Sequence, residues 1–546
     1  MLAGRAPSGD APHSTRRESN LIYGIKLFFP IFLLWALSLV TMKVVFRDLL
    51  DELELRKTMT VVLVYTAASF LSYRPELYFA SCLVAVLIGQ HLLGGGLRGR
   101  LAAFWMAVVL FPPLSVPLTG VPGINYLIDI SHLRIAEVAL LLPAAAQILF
   151  SRRAERRSIF WLDAAVISYP LLCIVVQFPH VTFTTSVRSI VEMFLDVALP
   201  YYVLTRGPRD WADLKFVLLR LLLACIFCGS VALLEAAIRR NIYAELQWVY
   251  GITWSLTHTL MRGSLLRVQA LANNPVMLAM QLAFTIGLWV AMTAQGVSKA
   301  RIGTVSMLLL AALVCTLSRG PLLGTIVFAL SMFGLSKLGP RVFGVLLLIA
   351  IVGIVGAKMA GLDEPVIAFL KSNLSSSTED ASTIDYRSRL LDTSLELIKQ
   401  SPWLGVPNYA AYMQDLVQGE GIIDVVNTYV GVTLNAGVVG LALYLSPYFF
   451  MTLALLRRLG DAFPDLDRPR RVLIQAFIGL MIGALVAIFT TSIFERIPFL
   501  LMLLVAAPGA MIMFDPAMSR TRKAGAALHP ALPDFPEMAS KKYADV

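Results

Sequence analysis

The sequence predicts an all-α protein embedded in a membrane, with about 14 transmembrane helices and one large helical loop outside the bilayer. Three observations predict it. Of 546 residues, 58% are hydrophobic and only 15% are charged, against the ~25% charged residues usual in soluble domains; mean hydropathy is +0.74. Apolar stretches close to the ~20 residues that cross a bilayer recur along almost the whole chain. The net charge of +11 gathers in short connections, SRRAERRS (151–158), TRGPRDW (205–211), RRLGDAFPDLDRPRR (457–471) and RTRK (520–523). That distribution fits loops held in the cytoplasm by the positive-inside rule, not nucleic-acid binding.

Taken in order, residues 1–21, with Arg5, Arg16 and Arg17, form a cytoplasmic tail. The stretch 22–43 is long and lacks a small-residue cleavage site, so it reads as a retained signal anchor. Between 58 and 93 two short apolar pieces meet at TyrArgProGlu (73–76), read as one crossing plus a half-helix. Further spans fall near 101–119, 134–150, 158–178, 188–205, 214–236, 276–294, 302–317, 321–336, 341–357, 430–455, 472–492 and 496–514. Totals from 13 to 15 satisfy the pattern. The organisation is a membrane domain over 22–357 with an outer loop at 237–275, a large extracytoplasmic loop over 358–429, C-terminal membrane helices over 430–514, and a disordered cytoplasmic tail over 515–546, rich in Ala, Pro and Lys.

Both long connections lie outside on this map. The first carries Arg239, Arg240, Arg262 and Arg267 against the single acid Glu245, against the positive-inside tendency. The second has ten acids and five bases and an amphipathic helix near 383–400. Ser382 or Thr383 caps it, Asp385 suits its first turn, Leu391, Leu395 and Ile398 form its apolar stripe, and Pro402 with Gly405 ends it.

Arg319 stands in TLSRGPLLG (316–324), between two apolar runs. An arginine inside a bilayer costs roughly 2.5 to 3.5 kcal/mol on insertion scales, so it faces a cavity, a partner or a surface. The SerArgGlyPro turn puts it at the outer boundary. Pro321 suits the first turn of the next helix, whose N-terminus favours anions. A guanidinium there either snorkels to lipid headgroups or grips phosphate oxygens bidentately. Arg267 precedes a span on the same side, and Arg387 and Arg389 lie on the amphipathic helix.

Other signals carry no chemistry. GlyGlyGlyLeuArgGly (94–99) matches GxGxxG without a preceding strand. Cys82, Cys173, Cys225, Cys228 and Cys315 all lie in apolar runs, and the six histidines show no metal-ligand spacing. No phosphate-binding GxxxxGK[ST] stretch occurs.

Four stretches resemble the O-antigen ligase and O-antigen polymerase superfamily of bacterial membrane glycosyltransferases, in its order: RVQALANNPVMLA (267–279), TLSRGPLLG (316–324), RSRLLDTSLELIKQSPWLGVPNYAAY (387–412) and VVNTYVGVTLNAGVVGLALYL (425–445). Together they cover about a third of the chain. The resemblance implies a glycan donor carried on a polyprenyl diphosphate, transfer at the outer face of the cytoplasmic (inner) membrane, and no metal or other cofactor. It implies that Arg267, Arg319 and Arg389, with Arg387 as a further candidate, bind the diphosphate and stabilise its departing charge. It also implies partners besides the bilayer: a repeat-unit flippase and export or chain-length proteins.

The ligases of the superfamily carry a His-x-His-Asn pattern before the last outer span. This chain reads AspValValAsn at 424–427, which leaves Asp424 as the candidate base and shifts the expectation from ligase to polymerase. Trp248, Tyr250, Trp254, Tyr409 and Asn427 are the candidate glycan contacts, aromatic rings stacking on sugars or, in their commoner use, anchoring at the interface. Two readings stay open beside a glycosyltransferase: a transporter, and a non-catalytic assembly partner that keeps the fold.

Overall fold

The computed structural model describes residues 13–71, 75–117, 128–151, 159–243, 260–262, 264–293, 296–335, 378–417, 423, 425, 427–461, 468–493 and 496–514. The protein is an all-α polytopic membrane protein. Among the described residues eight helices are long and apolar enough to cross a membrane, and Leu77–Leu92 and Arg319–Gly334 are shorter apolar helices. The span expected at 341–357 lies outside the described residues. The only strands among them are two short antiparallel pairs, Ser115–Pro117 with Asp129–Ser131 and Met261–Arg262 with Leu265–Leu266.

Helix Trp211–Ile238 runs through the middle, packed on Leu97–Leu110, Pro275–Thr293 and Lys299–Cys315. Its apolar residues occupy the whole circumference, as a helix enclosed by other helices requires. Peripheral helices are apolar on the face the protein leaves uncovered. In His13–Val45 that face is Phe29, Leu33, Leu37, Val40 and Val44, recurring every three or four residues. Such a stripe faces lipid, where exposure of apolar side chains carries no hydrophobic penalty.

Small residues set the closest helix approach. In Arg319–Gly334, Leu323, Ile326, Leu330 and Phe333 face outward, and Gly320, Gly324 and Phe328 face helix Arg468–Ile488. A Cβ on Gly324 would come within 2.5 Å of the Gly483 carbonyl oxygen, and one on Gly483 equally close to that of Gly324. With little hydrophobic drive between helices in lipid, this backbone approach is what holds them.

Several elements depart from expectation. The region 58–93, expected as a crossing and a half-helix, falls in two helices packed together, Glu52–Leu71 and Pro75–Leu92. The loop helix starts at Thr378 and ends at Gln400. Its buried face is Leu390, Ser394 and Leu397 (4%, 0% and 5% exposed), with Leu391 and Leu395 at 42% and 44%. Only Ile398 of the predicted stripe joins the packing. Ser394 made the true face look polar in sequence, but its hydroxyl donates to the Leu390 carbonyl and so is satisfied inside the helix.

Helix Thr428–Asp461 is broken at Gly437 (φ 66°), and the loop after the amphipathic helix fills the break. Val406 N–H donates to the Leu434 carbonyl at 2.7 Å, and Val438 and Val439 N–H groups donate to the carbonyls of Pro402 and Trp403. Gly405 (φ 79°) lies against the backbone of Leu434, Ala436 and Gly437, and Gly437 against that of Trp403 and Leu404, where no Cβ fits. Pro402–Gly405 therefore ends one helix and docks into the next.

Charge also enters the interior. Helices His132–Phe150 and 183–206 each contain a π-helical segment, Glu137–Leu141 and Met193–Ala198, followed by Pro143 and Pro200, which cannot donate the helical hydrogen bond. Beside these segments Arg134 pairs with Glu192 at 3.0 Å and Asp196 at 3.1 Å, and Glu137 is fully buried.

Candidate functional site

The local sequence explains the turn at Arg319. Helix Lys299–Cys315 closes as Thr316 and Leu317 donate to the carbonyls of Leu313 and Val314. Leu317 takes a left-handed conformation (φ 53°), the Ser318 amide donates to the Thr316 hydroxyl, and Arg319 opens the next helix, with Pro321 in its first turn. The Arg319 side chain is exposed.

Two further arginines grip this turn. Val268 N–H donates to the Cys315 carbonyl at 3.3 Å, laying the segment after the short strand pair along the helix end. Arg267 Nε donates to the Thr316 carbonyl at 3.2 Å and its Nη2 to the Ser318 hydroxyl at 3.1 Å. Arg262 Nη1 donates to the Leu317 carbonyl at 2.7 Å. Three cations thus surround four consecutive residues. Carbonyl and hydroxyl oxygens give each guanidinium a fixed direction, and guanidinium groups gathered in this way attract an anion.

The segment 267–275 is itself held from below. Helix Trp211–Ile238 ends at Arg239 in a left-handed conformation (φ 53°). One turn earlier the fully buried Glu235 carboxylate accepts N–H bonds from Ile242 at 2.8 Å, Gln269 at 3.1 Å and Ala270 at 2.8 Å. Asn241 donates its amide to the Arg267 carbonyl. Arg496, 1% exposed, donates to the carbonyls of Leu271 at 2.7 Å, Val109 at 2.9 Å and Phe111 at 2.9 Å. Asn273 turns left-handed (φ 54°), and Asn274 caps helix Pro275–Thr293 by accepting from Val276 and Met277. These contacts give the AsnAsnPro motif its physical meaning.

A cavity of about 760 Å³ has Asn274, the cap residue that follows the Arg267 segment, in its lining. Asn274, Tyr409, Thr428 and Ser492 line it among polar groups, and Tyr169, Tyr444 and Tyr448 wall its deeper part. The turn and the cavity are joined through 490–492. Gly320 rests against Thr490 and Thr491, the Thr428 hydroxyl donates to the Thr491 carbonyl at 2.6 Å, and Ser492 faces the cavity. Its size and mixed lining suit an amphipathic ligand.

The structure brings Arg267 and Arg319 to one turn and Tyr409 to the cavity wall. Arg389 is placed otherwise: its described ion pair is with Asp415 at 3.8 Å, the side chains 58% and 75% exposed, and no described contact joins it to the turn. Asn427 caps helix Thr428–Asp461, its Oδ1 accepting from Tyr429 and Val430. Asp424, Trp248, Tyr250, Trp254 and the Arg387 side chain lie outside the described residues. Glu235 and Arg496 carry no distinctive signal in the sequence, since a charge within a few residues of a span end looks like a boundary charge. Arg262 was counted only as part of the loop's basic excess. Among the described residues no group of His, Cys, Asp or Glu is arranged to hold a metal ion.

No curated protein matches the chain. Residues 304–445 match the family model described as O-antigen ligase, a stretch that spans the Arg319 turn, the amphipathic helix and the Gly437 break. Over that stretch the chain is similar to the O-antigen ligase family.

Proposed function

We propose that this protein polymerises a cell-surface polysaccharide of exopolysaccharide or O-antigen type, at the outer face of the bacterial inner membrane. The observation that carries the reading is the gathering of Arg262, Arg267 and Arg319 on one turn beside a large amphipathic cavity. The Arg319 end of the bundle then faces the periplasm, and both substrates are glycans on polyprenyl diphosphate. A hydroxyl oxygen of the lipid-linked repeat unit attacks the anomeric carbon of the donor. The bond from that carbon to the diphosphate oxygen breaks, and its electron pair leaves with the lipid diphosphate. Arg267 and Arg319 hold that charge as it develops, a role a metal ion fills in other phosphate-releasing sites. Asp424 takes the hydroxyl proton, Arg387 and Arg389 approach from the amphipathic helix, and Trp248, Tyr250, Trp254, Tyr409 and Asn427 contact sugars. A repeat-unit flippase supplies the substrate, and export or chain-length proteins receive the product.

Polymerisation is favoured over ligation because AspValValAsn stands where the ligases have their histidines. The test is purified protein in liposomes with a lipid-linked repeat unit and EDTA. A ladder of lengthening glycans is expected, lost in Arg319→Ala; single transfers to another acceptor would instead indicate a ligase. A transporter is the second reading, favoured by the interior Arg134–Glu192–Asp196 cluster beside two π segments. Movement of the lipid-linked unit across the liposome without any change in its glycan would support it.

A further inference from the structure

We propose that Glu235 and Arg496 are positioning residues for Arg267, clamping the backbone of 268–272 from its two hydrogen-bonding sides. The proposal rests on the reading of Arg267 as a diphosphate ligand.

The two groups bind complementary parts of successive peptide units. Glu235 takes the N–H groups of Gln269 and Ala270, and Arg496 takes the carbonyl of Leu271. A segment held only by acceptors could still swing its carbonyls, and one held only by donors its amides. With both in place it can neither rotate nor slide without leaving a buried charge short of partners, which is expensive. The second Glu235 oxygen extends the clamp to Ile242, next to Asn241, whose amide holds the Arg267 carbonyl. Arg496 ties the same segment to the end of helix Leu97–Leu110 through Val109 and Phe111. Arg267 therefore enters the site from a backbone fixed on three elements.

The clamp also accounts for local strain. Ala270 has φ 43°, a left-handed conformation that is strained for a non-glycine residue and persists only where the surroundings impose it. Both its amide and that of Gln269 point at the Glu235 carboxylate. Releasing them lets Ala270 relax, and a relaxation of that kind three residues from Arg267 draws its guanidinium away from Thr316 and Ser318.

The test is a double-mutant cycle on the full-length protein in detergent, with undecaprenyl diphosphate, lacking any sugar, as the probe and its dissociation constant as the readout. Glu235→Gln keeps the volume but turns an amide toward backbone N–H groups. We expect it to weaken binding about tenfold, the scale on which supporting contacts act behind a binding group, and to cause no further loss in an Arg267→Ala background. Arg496→Lys, which cannot span three carbonyls, should behave the same way. Equal losses in both backgrounds would overturn the proposal, as would unchanged affinity in Glu235→Gln. Unchanged affinity in Arg267→Ala would instead remove the diphosphate reading. Should Glu235→Gln not yield folded protein, Glu235→Asp and Arg496→Lys complete the cycle with the same outcomes.

Discussion

Arginine is used in two ways in this protein, at the 316–319 turn and in the interior cluster at Arg134. Arg134 lies between two carboxylates, Glu192 at 3.0 Å and Asp196 at 3.1 Å, and its Nη1 donates to the Asp129 carbonyl. Its charge is spent on joining two interrupted helices. Arg262 and Arg267 reach carbonyl and hydroxyl oxygens of one turn, which fix their direction. The difference teaches that an arginine can join two helices by pairing with their carboxylates or shape a single turn by reaching its backbone and hydroxyl oxygens.

The comparison can be broken most decisively at the turn. Arg319→Ala and Arg267→Ala should each lower polymer synthesis by about 10²- to 10³-fold, the cost of losing one preorganised charge-stabilising donor. Membrane insertion, read by immunoblot of the membrane fraction, should stay normal for Arg319→Ala, because the side chain is exposed. At the cluster the expectation is reversed. Arg134→Ala leaves facing carboxylates without their cation and should destabilise the fold by about 3 kcal/mol, seen as a lower melting temperature of the purified protein. The folded fraction should retain its specific activity. Loss of activity there with unchanged melting would place the cluster in the polymerising site.

Smaller effects sharpen the picture. Gly324→Ala pushes a methyl group into the Gly483 carbonyl and should cost about 1 to 3 kcal/mol by overpacking, with some loss of activity because the same helix begins at Arg319. Arg389→Ala should change stability by less than about 1 kcal/mol, since its ion pair with Asp415 is long and exposed. A large loss of polymer in that variant would bring the amphipathic helix into the site, and normal polymer would leave it outside.

Legibility in the sequence followed the physics of each feature. Long apolar runs and arginine-rich connections declared the fold class, because span length and charge asymmetry are properties of sequence alone. The association of Arg267 with the Arg319 turn was suggested only by the order of the motifs. The contacts that realise it run from Arg267 to a backbone carbonyl and a serine hydroxyl 49 and 51 residues away, and leave no trace in local pattern. The stripe of Leu391 and Leu395 misled because a serine in the packed face satisfied itself within the helix. Glu235 and Arg496 stayed hidden since their partners are backbone groups, which every sequence has. Pro143 and Pro200 did offer a signal for the π turns; what they could not give was the pairing of the charges beside them.

The most direct measurement of the central claim is chain growth by the purified protein in liposomes that contain only a polyprenyl-diphosphate-linked repeat unit. The account predicts a glycan ladder that lengthens with time, persists in EDTA and is absent from Arg319→Ala and Arg267→Ala. An identical ladder from both variants would contradict it.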